Sequence, residues 1–264
     1  MKTFKLVRSY SIFQKYYSTL QEGDLVSVRI PLKHEDLGII VDLITRKVES
    51  FPHFLSQILS FSKILQAQIL KEFIPPFTFV IKNKTTLLEA IEKFLKNNIK
   101  EVITKEDRAN CGLGVKLWNS IEEVFNFAGT EILPYPFVLQ PFFKDWKDYR
   151  VIILGNMYIE AYERRNSFNF RQNLFFGGEA IPYKINEKEL DFCRKVMERG
   201  KFPYAHIDMV YIDGEGPYLS EISLKGGIKG AKITSKEYEL IIHRIEEEFI
   251  NKWKKGKKVV ILKE

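Results

Sequence analysis

Three residues on either side of position 215, Asp208, Glu221 and Ser223, are of types that could hold a metal ion, and His206 stands two residues before the first of them. They flank Asp213-Gly214-Glu215-Gly216, a turn signal of the kind that joins antiparallel strands. If Ile212 pairs with Pro217, Asp208 lies across from Glu221 and His206 across from Ser223. All four then share one face, because side chains alternate along a strand. Cβ atoms opposed in this way lie about 5 Å apart, and like charges so placed repel. Two facing carboxylates therefore need a cation, a shared proton or water. Asp, Glu and Ser offer the hard oxygens that Mg²⁺ takes, with phosphates completing its shell. The alternative is a solvated sheet face that carries two acids, and a single bulge would break the register.

Other residues could hold an anion. Lys105 ends a short β-rich run and is followed by Gly112 and Gly114. Glycines let a backbone approach a phosphate closely and present N–H donors, and a lysine adds charge. The same residues also make an ordinary turn, and GxxxxGK[ST] is absent. Arg171 and Asn173, two apart, would share a strand face where a guanidinium can grip phosphate or carboxylate oxygens. Arg171 could instead pair with a nearby acid such as Glu163, and Arg150, Arg164 and Arg165 carry the same ambiguity. His34, His53, His206 and His243 form no zinc or nucleophile motif, and neither GxSxG nor HExxH occurs.

The elements that must position these groups alternate in type. Residues 23–30 (GDLVSVRI) and 37–44 (LGIIVDLI) suggest short strands, and residues 52–73 a helix stopped by Pro75-Pro76. Residues 77–82, 100–105 and 137–143 are β-rich. Thr86-x-x-Glu89 resembles a capping box that opens a helix to about Asn98. Residues 148–165 suggest a hairpin turning at Gly155-Asn156. Residues 168–173 (FNFRQN) alternate as a strand does. Asn186-x-x-Glu189 and Thr234-x-x-Glu237 start two further helices, the last with an apolar stripe through Tyr238, Ile241, Ile242, Ile245 and Phe249. The final GKKVVILKE suggests an extra strand. Strands interleaved with helices and hairpins imply an α/β or α+β fold with antiparallel sheets.

The chain has 264 residues, 45% hydrophobic and 28% charged, as in a globular protein. No apolar run is long enough to span a bilayer, and MKTFKLVRSYSIFQKYY lacks a signal-length apolar segment. Cys111 and Cys193 alone imply no disulfide framework, and a reducing cytoplasm is the expected location. The net charge of +7 suits acidic partners, while KWKKGKK (252–258) reads as a helix end followed by a loop rather than a nucleic-acid patch.

The order of these pieces resembles the ATP-grasp ligases, specifically the RimK-like branch. The motifs that carry it are ITKEDRANCGLGV (103–115), LQPFF (139–143), DYR (148–150), YERR (162–165), FRQNLFFGG (170–178), HID (206–208) and EISLKGGIKG (221–230). SKILQAQIL (62–70) resembles the family helix whose lysine approaches ATP. The resemblance covers residues 52–253. It implies two α+β subdomains clamping ATP, with a short α/β unit over 1–60, a first subdomain over 61–136, a second over 137–255 and a terminal strand over 256–264.

By that resemblance Lys63 and Lys105 contact ATP phosphates beneath the loop of Gly112 and Gly114. Gln140, Pro141, Phe142 and Phe143 pass the adenine through their backbone, and Asp148 lies near the nucleotide. Arg171, Gln172 and Asn173 reach the phosphates and the reacting carboxyl. Arg171 and Arg164 take the catalytic roles. Asp208, Glu221 and Ser223 hold Mg²⁺, or Mn²⁺ in its place. The implied reaction joins a carboxylate to an amine through an acyl phosphate, with glutamate or another amino acid added to a small molecule or protein terminus. A kinase that stops at phosphoryl transfer, and a non-catalytic nucleotide-binding or RNA-associated protein, are the competing readings. Self-association stays open. Ser223 stands where the family has Asn, and Phe175-Phe176 where it has a His/Arg-type pair.

Overall fold

The computed structural model describes residues 2–31, 36–109 and 112–263. His34 and Cys111 lie outside the described residues. The first unit contains β1 (Thr3–Val7), α1 (Tyr10–Tyr16), β2 (Leu25–Val26), α2 (Leu37–Thr45) and β3 (Glu49–Ser50). Its strands pair in parallel, and β2 and β3 are joined through α2. Residues 37–44 are thus helical rather than the expected strand. Ile40 and Leu43 are fully buried while Val41 and Ile44 are 62% and 52% exposed, a helical spacing. Parallel strands need a crossover, and that long-range demand overrides the β-branched composition.

The helix expected over 52–73 breaks in two, α3 (Phe54–Leu59) and α4 (Lys63–Ile69), because Ser62 is extended and its hydroxyl caps α4 by accepting from Leu65 N. Next come β4 (Phe79–Ile81), α5 (Lys84–Lys96), β5 (Val102–Glu106), β6 (Val115–Trp118), α6 (Ile121–Phe127) and β7 (Phe137–Pro141). The cap of α5 is Asn83, and Thr86 is its reciprocal partner three residues on, so the helix starts earlier than the Thr86 reading placed it. The four strands form an antiparallel sheet in the order β4-β7-β5-β6. The expected boundary at 136/137 therefore falls inside this unit, since β7 pairs with both β4 and β5.

The third sheet runs β10-β9-β8-β11-β12, all antiparallel. Its strands are β8 (Trp146–Leu154), β9 (Tyr158–Arg165), β10 (Glu179–Tyr183), β11 (Tyr204–Ile212) and β12 (Glu215–Ser223). Helices α7 (Glu187–Gly200) and α8 (Ser235–Lys254) both begin with reciprocal capping boxes. Finally β13 (Lys258–Ile261) pairs in parallel with β1, so the terminal strand completes the first sheet. One large core cluster joins Leu6, Leu25 and Phe51 to Val151, Ile207, Ile222 and Trp253. No helix among the described residues is long and apolar enough to cross a membrane.

Candidate active site

A row of side chains crosses four strands of the third sheet. Pairing sets Tyr162 beside Arg150, Arg150 beside Asp208, and Asp208 beside Glu221. A neighbouring row places Arg164 beside Asp148, and another His206 beside Ser223. The acids face one another as their spacing predicted, by a different route. The hairpin turns on Asp213 and Gly214, both at positive φ, so Ile212 pairs with Glu215 and not with Pro217. Two register shifts then restore the alignment at Asp208 and Glu221. The glycines make this affordable: Gly214 and Gly216 have φ of 82° and 141°, where a side chain is strained.

Arg150 resolves the repulsion inherent in the acid pair from the side away from Glu221. Its Nε donates to Asp208 Oδ1 and its Nη2 to Oδ2 at 3.0 Å. Arg164 Nη2 adds a contact at 2.9 Å to Asp208 and donates at 2.6 and 2.8 Å to Asp148. Burial alone would raise the Asp208 carboxyl, but the charges of Arg150 and then Arg164 overcome it and hold the group well below the usual carboxylate range. Glu221 faces Lys63 at 3.6 Å. Lys63 also donates to Ala109 O at 2.5 Å, which ties α4 to the glycine loop. Lys105 lies 3.4 Å from Ser220 Oγ, and burial lowers its ammonium to about 8 despite the opposing pull of Glu221.

These groups line a cavity of about 840 Å³ between the second and third sheets. Lys63, Lys105, Gly112, Asp148, Arg164, Asp208, Glu221 and Ser223 all reach it, as do Gln140, Pro141, Phe142, Phe143, Arg171, Gln172 and Asn173. Gly114 does not. A Cβ there would meet Ala109 Cβ at 2.3 Å, so this glycine serves the packing of its own turn. The N–H of Phe142 already donates to Glu101 O at 2.9 Å and is not free for a base.

Residues 168–173 form no strand. Asn166 Nδ2 donates to Arg171 O and Phe176 O, Asn169 Oδ1 accepts from Arg171 N, and Gln172 Oε1 accepts from Asn166 N. Amide side chains bonded to nearby backbone replace the ladder that the alternation suggested. Arg171 does not meet Glu163, which pairs with Arg165 at 2.8 Å. Its Nε donates to Gly112 O at 3.0 Å and its Nη2 to Val115 O. The guanidinium also lies over the rings of Phe170 and Phe176, 4.2 and 4.9 Å from their centroids. The departure at Phe176 thus has a structural use: it stacks on the arginine that ties this segment to the glycine loop.

The fit to magnesium rests on the donor set. No cluster of three His, Cys, Asp or Glu side chains is arranged to bind a metal among the described residues. A carboxylate has about four lone-pair positions. Three guanidinium contacts leave Asp208 one, Glu221 keeps both oxygens, and Ser223 Oγ donates to Lys225 O with lone pairs to spare. Two carboxylates and a hydroxyl suit a Mg²⁺ ion that arrives with a polyphosphate and keeps its waters. They do not make a self-standing metal centre.

Lys225 and Lys229, which also line the cavity, lie within EISLKGGIKG but had no expected role, and the grip of Arg150 on Asp208 was not expected. The β8–β11 register would have revealed the latter, but no turn joins those strands to set it.

A cavity gripped between two antiparallel sheets, with Lys105 of one sheet and Lys63 of α4 opposite acids of the other, is the arrangement of an ATP-grasp protein. The chain belongs to the RimK-like ATP-grasp family, whose model matches residues 58–243. It is 29% identical over 139 residues to the coenzyme gamma-F420-2:alpha-L-glutamate ligase of Methanococcus maripaludis. That match takes in 51% of this chain and 48% of the relative, so it spans about half the length of the curated protein. The fold is similar to that of a RiPP-associated ATP-grasp ligase from Chryseobacterium gregarium, solved with ADP and a leader and core peptide. The TM-score is 0.57 at 15% identity, over 96% of this chain and 97% of that one. It is also similar to the D-alanine-D-alanine ligase of Coxiella burnetii (TM-score 0.60, 12% identity, 88% and 70% covered).

Proposed function

We propose that the protein is an ATP-dependent carboxylate–amine ligase. The observation that carries this is the convergence, in one cavity, of Lys63 and Lys105 on the facing pair Asp208 and Glu221. Gln140 to Phe143 would hold the adenine, and Lys63 and Lys105 would take the phosphates. A substrate carboxylate oxygen attacks the γ-phosphorus, the bond to ADP breaks, and an acyl phosphate forms. An amine then attacks the acyl carbon, phosphate leaves, and the nitrogen loses a proton to give the amide. Asp208, Glu221 and Ser223 would hold the magnesium ion, which offsets phosphate charge and orients the oxygens.

The chain's own part is positioning and charge. Lys63 and Lys105 bind phosphate oxygens. Arg150 and Arg164 fix Asp208, so Arg164 acts as a positioning residue rather than a contact to the reacting atoms. Arg171 and Phe176 hold the glycine loop down, which excludes water from the acyl phosphate. The name of the methanococcal relative supports glutamate as the amine, added to a small molecule or a protein terminus. The cysteine content supports a cytoplasmic location, and Cys193 is buried as a free thiol whose pKa burial raises to about 12.

The test is a phosphate-release assay with Mg-ATP over a panel of carboxylates and amines. Activity should require both co-substrates. Lys105→Ala and Glu221→Ala should each lower it by at least about a hundredfold. Full activity in both variants would exclude the assignment.

A further inference from the structure

Seven lysines and arginines line the cavity against three acids. Asp148, Asp208 and Glu221 already have Arg164, Arg150 and Lys63 as partners. Lys225 and Lys229 are the exception among the cationic groups. Their side chains make no ion pair or hydrogen bond with any described residue, and both are exposed at the cavity rim.

The loop that carries them is nonetheless held in place. Leu224 N donates to Ser60 Oγ at 2.9 Å, Arg150 Nη1 to Gly227 O at 3.4 Å, and Lys232 N to Glu160 at 3.0 Å. Gly226 is pressed onto the cavity floor, where a Cβ would meet His206 Nδ1 at 2.7 Å and Arg150 Nη1 at 2.9 Å. His206 lies beneath this loop: it is 2% exposed, bonds Tyr238 OH through Nε2 at 2.9 Å, and its Nδ1 is buried against Gly226. A fixed loop thus presents to the cavity two ammonium groups without a partner among the described residues, an arrangement that suits an anion.

Building on the ligase reading, we propose that Lys225 and Lys229 form a subsite for an extra anionic group of the substrate. The substrate on this side of the cavity then carries a carboxylate besides the one that is activated. A neutral amide at that position leaves both ammonium groups unpaired and is bound less well.

The test uses the full chain with saturating Mg-ADP and calorimetric titration of matched pairs: glutarate and glutaramate, L-glutamate and L-glutamine, Glu-Glu and Gln-Gln. In at least one pair the acid should bind about tenfold or more tighter than its amide, equivalent to about 1.4 kcal/mol. The Lys225→Ala/Lys229→Ala variant should lose that ratio, with Mg-ADP affinity measured alongside. Equal binding within every pair, no binding of any acid, or a ratio that survives in the variant would overturn the subsite. So would a parallel loss of Mg-ADP affinity, which would make the lysines nucleotide contacts. Failure of Mg-ADP to bind at all counts against the ligase reading instead. The same pairs titrated into the nucleotide-free chain then decide the subsite by the same ratio.

Discussion

At the scale of single residues, the decisive feature is how buried charge is neutralised. Asp208 is ionised because two guanidiniums surround it, and Lys105 is a half-buried cation without an ion pair among the described residues. In the folded protein its ammonium is lowered to about 8 by burial, against about 10.4 for a free lysine. The sign follows directly. Below pH 8 the group is charged and attracts phosphate. Above pH 8 the free protein has lost that proton, and binding a polyphosphate requires taking it up again. Affinity for Mg-ADP should therefore be level from pH 6.5 to about 8. It should then weaken by up to about tenfold per pH unit until the pKa of the complex is reached. Lys105→Arg, which stays charged, should remove the decline. Calorimetry across this range checks it; a wild-type affinity that stays level to pH 9.5 would contradict the phosphate role of Lys105. His206, held down to about 4 by burial and then by Arg150, is neutral throughout and adds no slope.

At the scale of elements, the glycine loop is the part whose behaviour the contacts foretell. Arg171 bridges the segment before Leu174 to the carbonyls of Gly112 and Val115, and two phenylalanine rings cover its faces. Arg171→Ala removes both bonds and both stacking contacts, so the glycine loop should open in the absence of nucleotide. Limited proteolysis near Arg108 should accelerate at least severalfold, and the KM for ATP should rise. Phe176→Leu, which removes only one ring, should give a smaller effect in the same direction. An unchanged cleavage rate in Arg171→Ala would show that other contacts hold the loop. This element also shows where local sequence fails. The alternation in FNFRQN is genuine, but its Asn and Gln side chains bond nearby backbone, which periodicity does not register. LGIIVDLI likewise has strand composition, yet two parallel strands on either side require a crossover there. The facing acids were legible because a tight turn and period-two alternation constrain a hairpin from within. The second half of the charge balance, Arg150 on Asp208, depends on the pairing of strands more than fifty residues apart in sequence.

At the scale of the whole molecule, the chain's last residues hold its first ones. Strand β13 pairs with β1 from Thr3–Lys258 to Leu6–Ile261, and Lys257 lies over the rings of Phe4 and Trp253. Glu49 of β3 accepts from Trp253 Nε1 and Lys257 Nζ, both at 3.1 Å. Ser27 donates to Glu246 at 2.7 Å, so α8 also grips the first sheet. The basic run at 252–258 thus has a structural role in closing this sheet. Removing residues 255–264 would leave β1 as an open edge and expose Phe4. With each lost backbone bond costing about 0.5–1.5 kcal/mol, the deletion should destabilise the protein by a few kcal/mol. For a chain of this size that is a fall in Tm of roughly 5–10 °C. The open edge should also promote association, visible by size-exclusion chromatography. The cavity is built from the other two sheets, so the fraction that stays folded should bind Mg-ADP as the full chain does. A truncated protein with an unshifted Tm would mean that α8 alone secures the first unit. Lost nucleotide affinity in a well-folded truncation would mean that the first sheet shapes the cavity through the shared core.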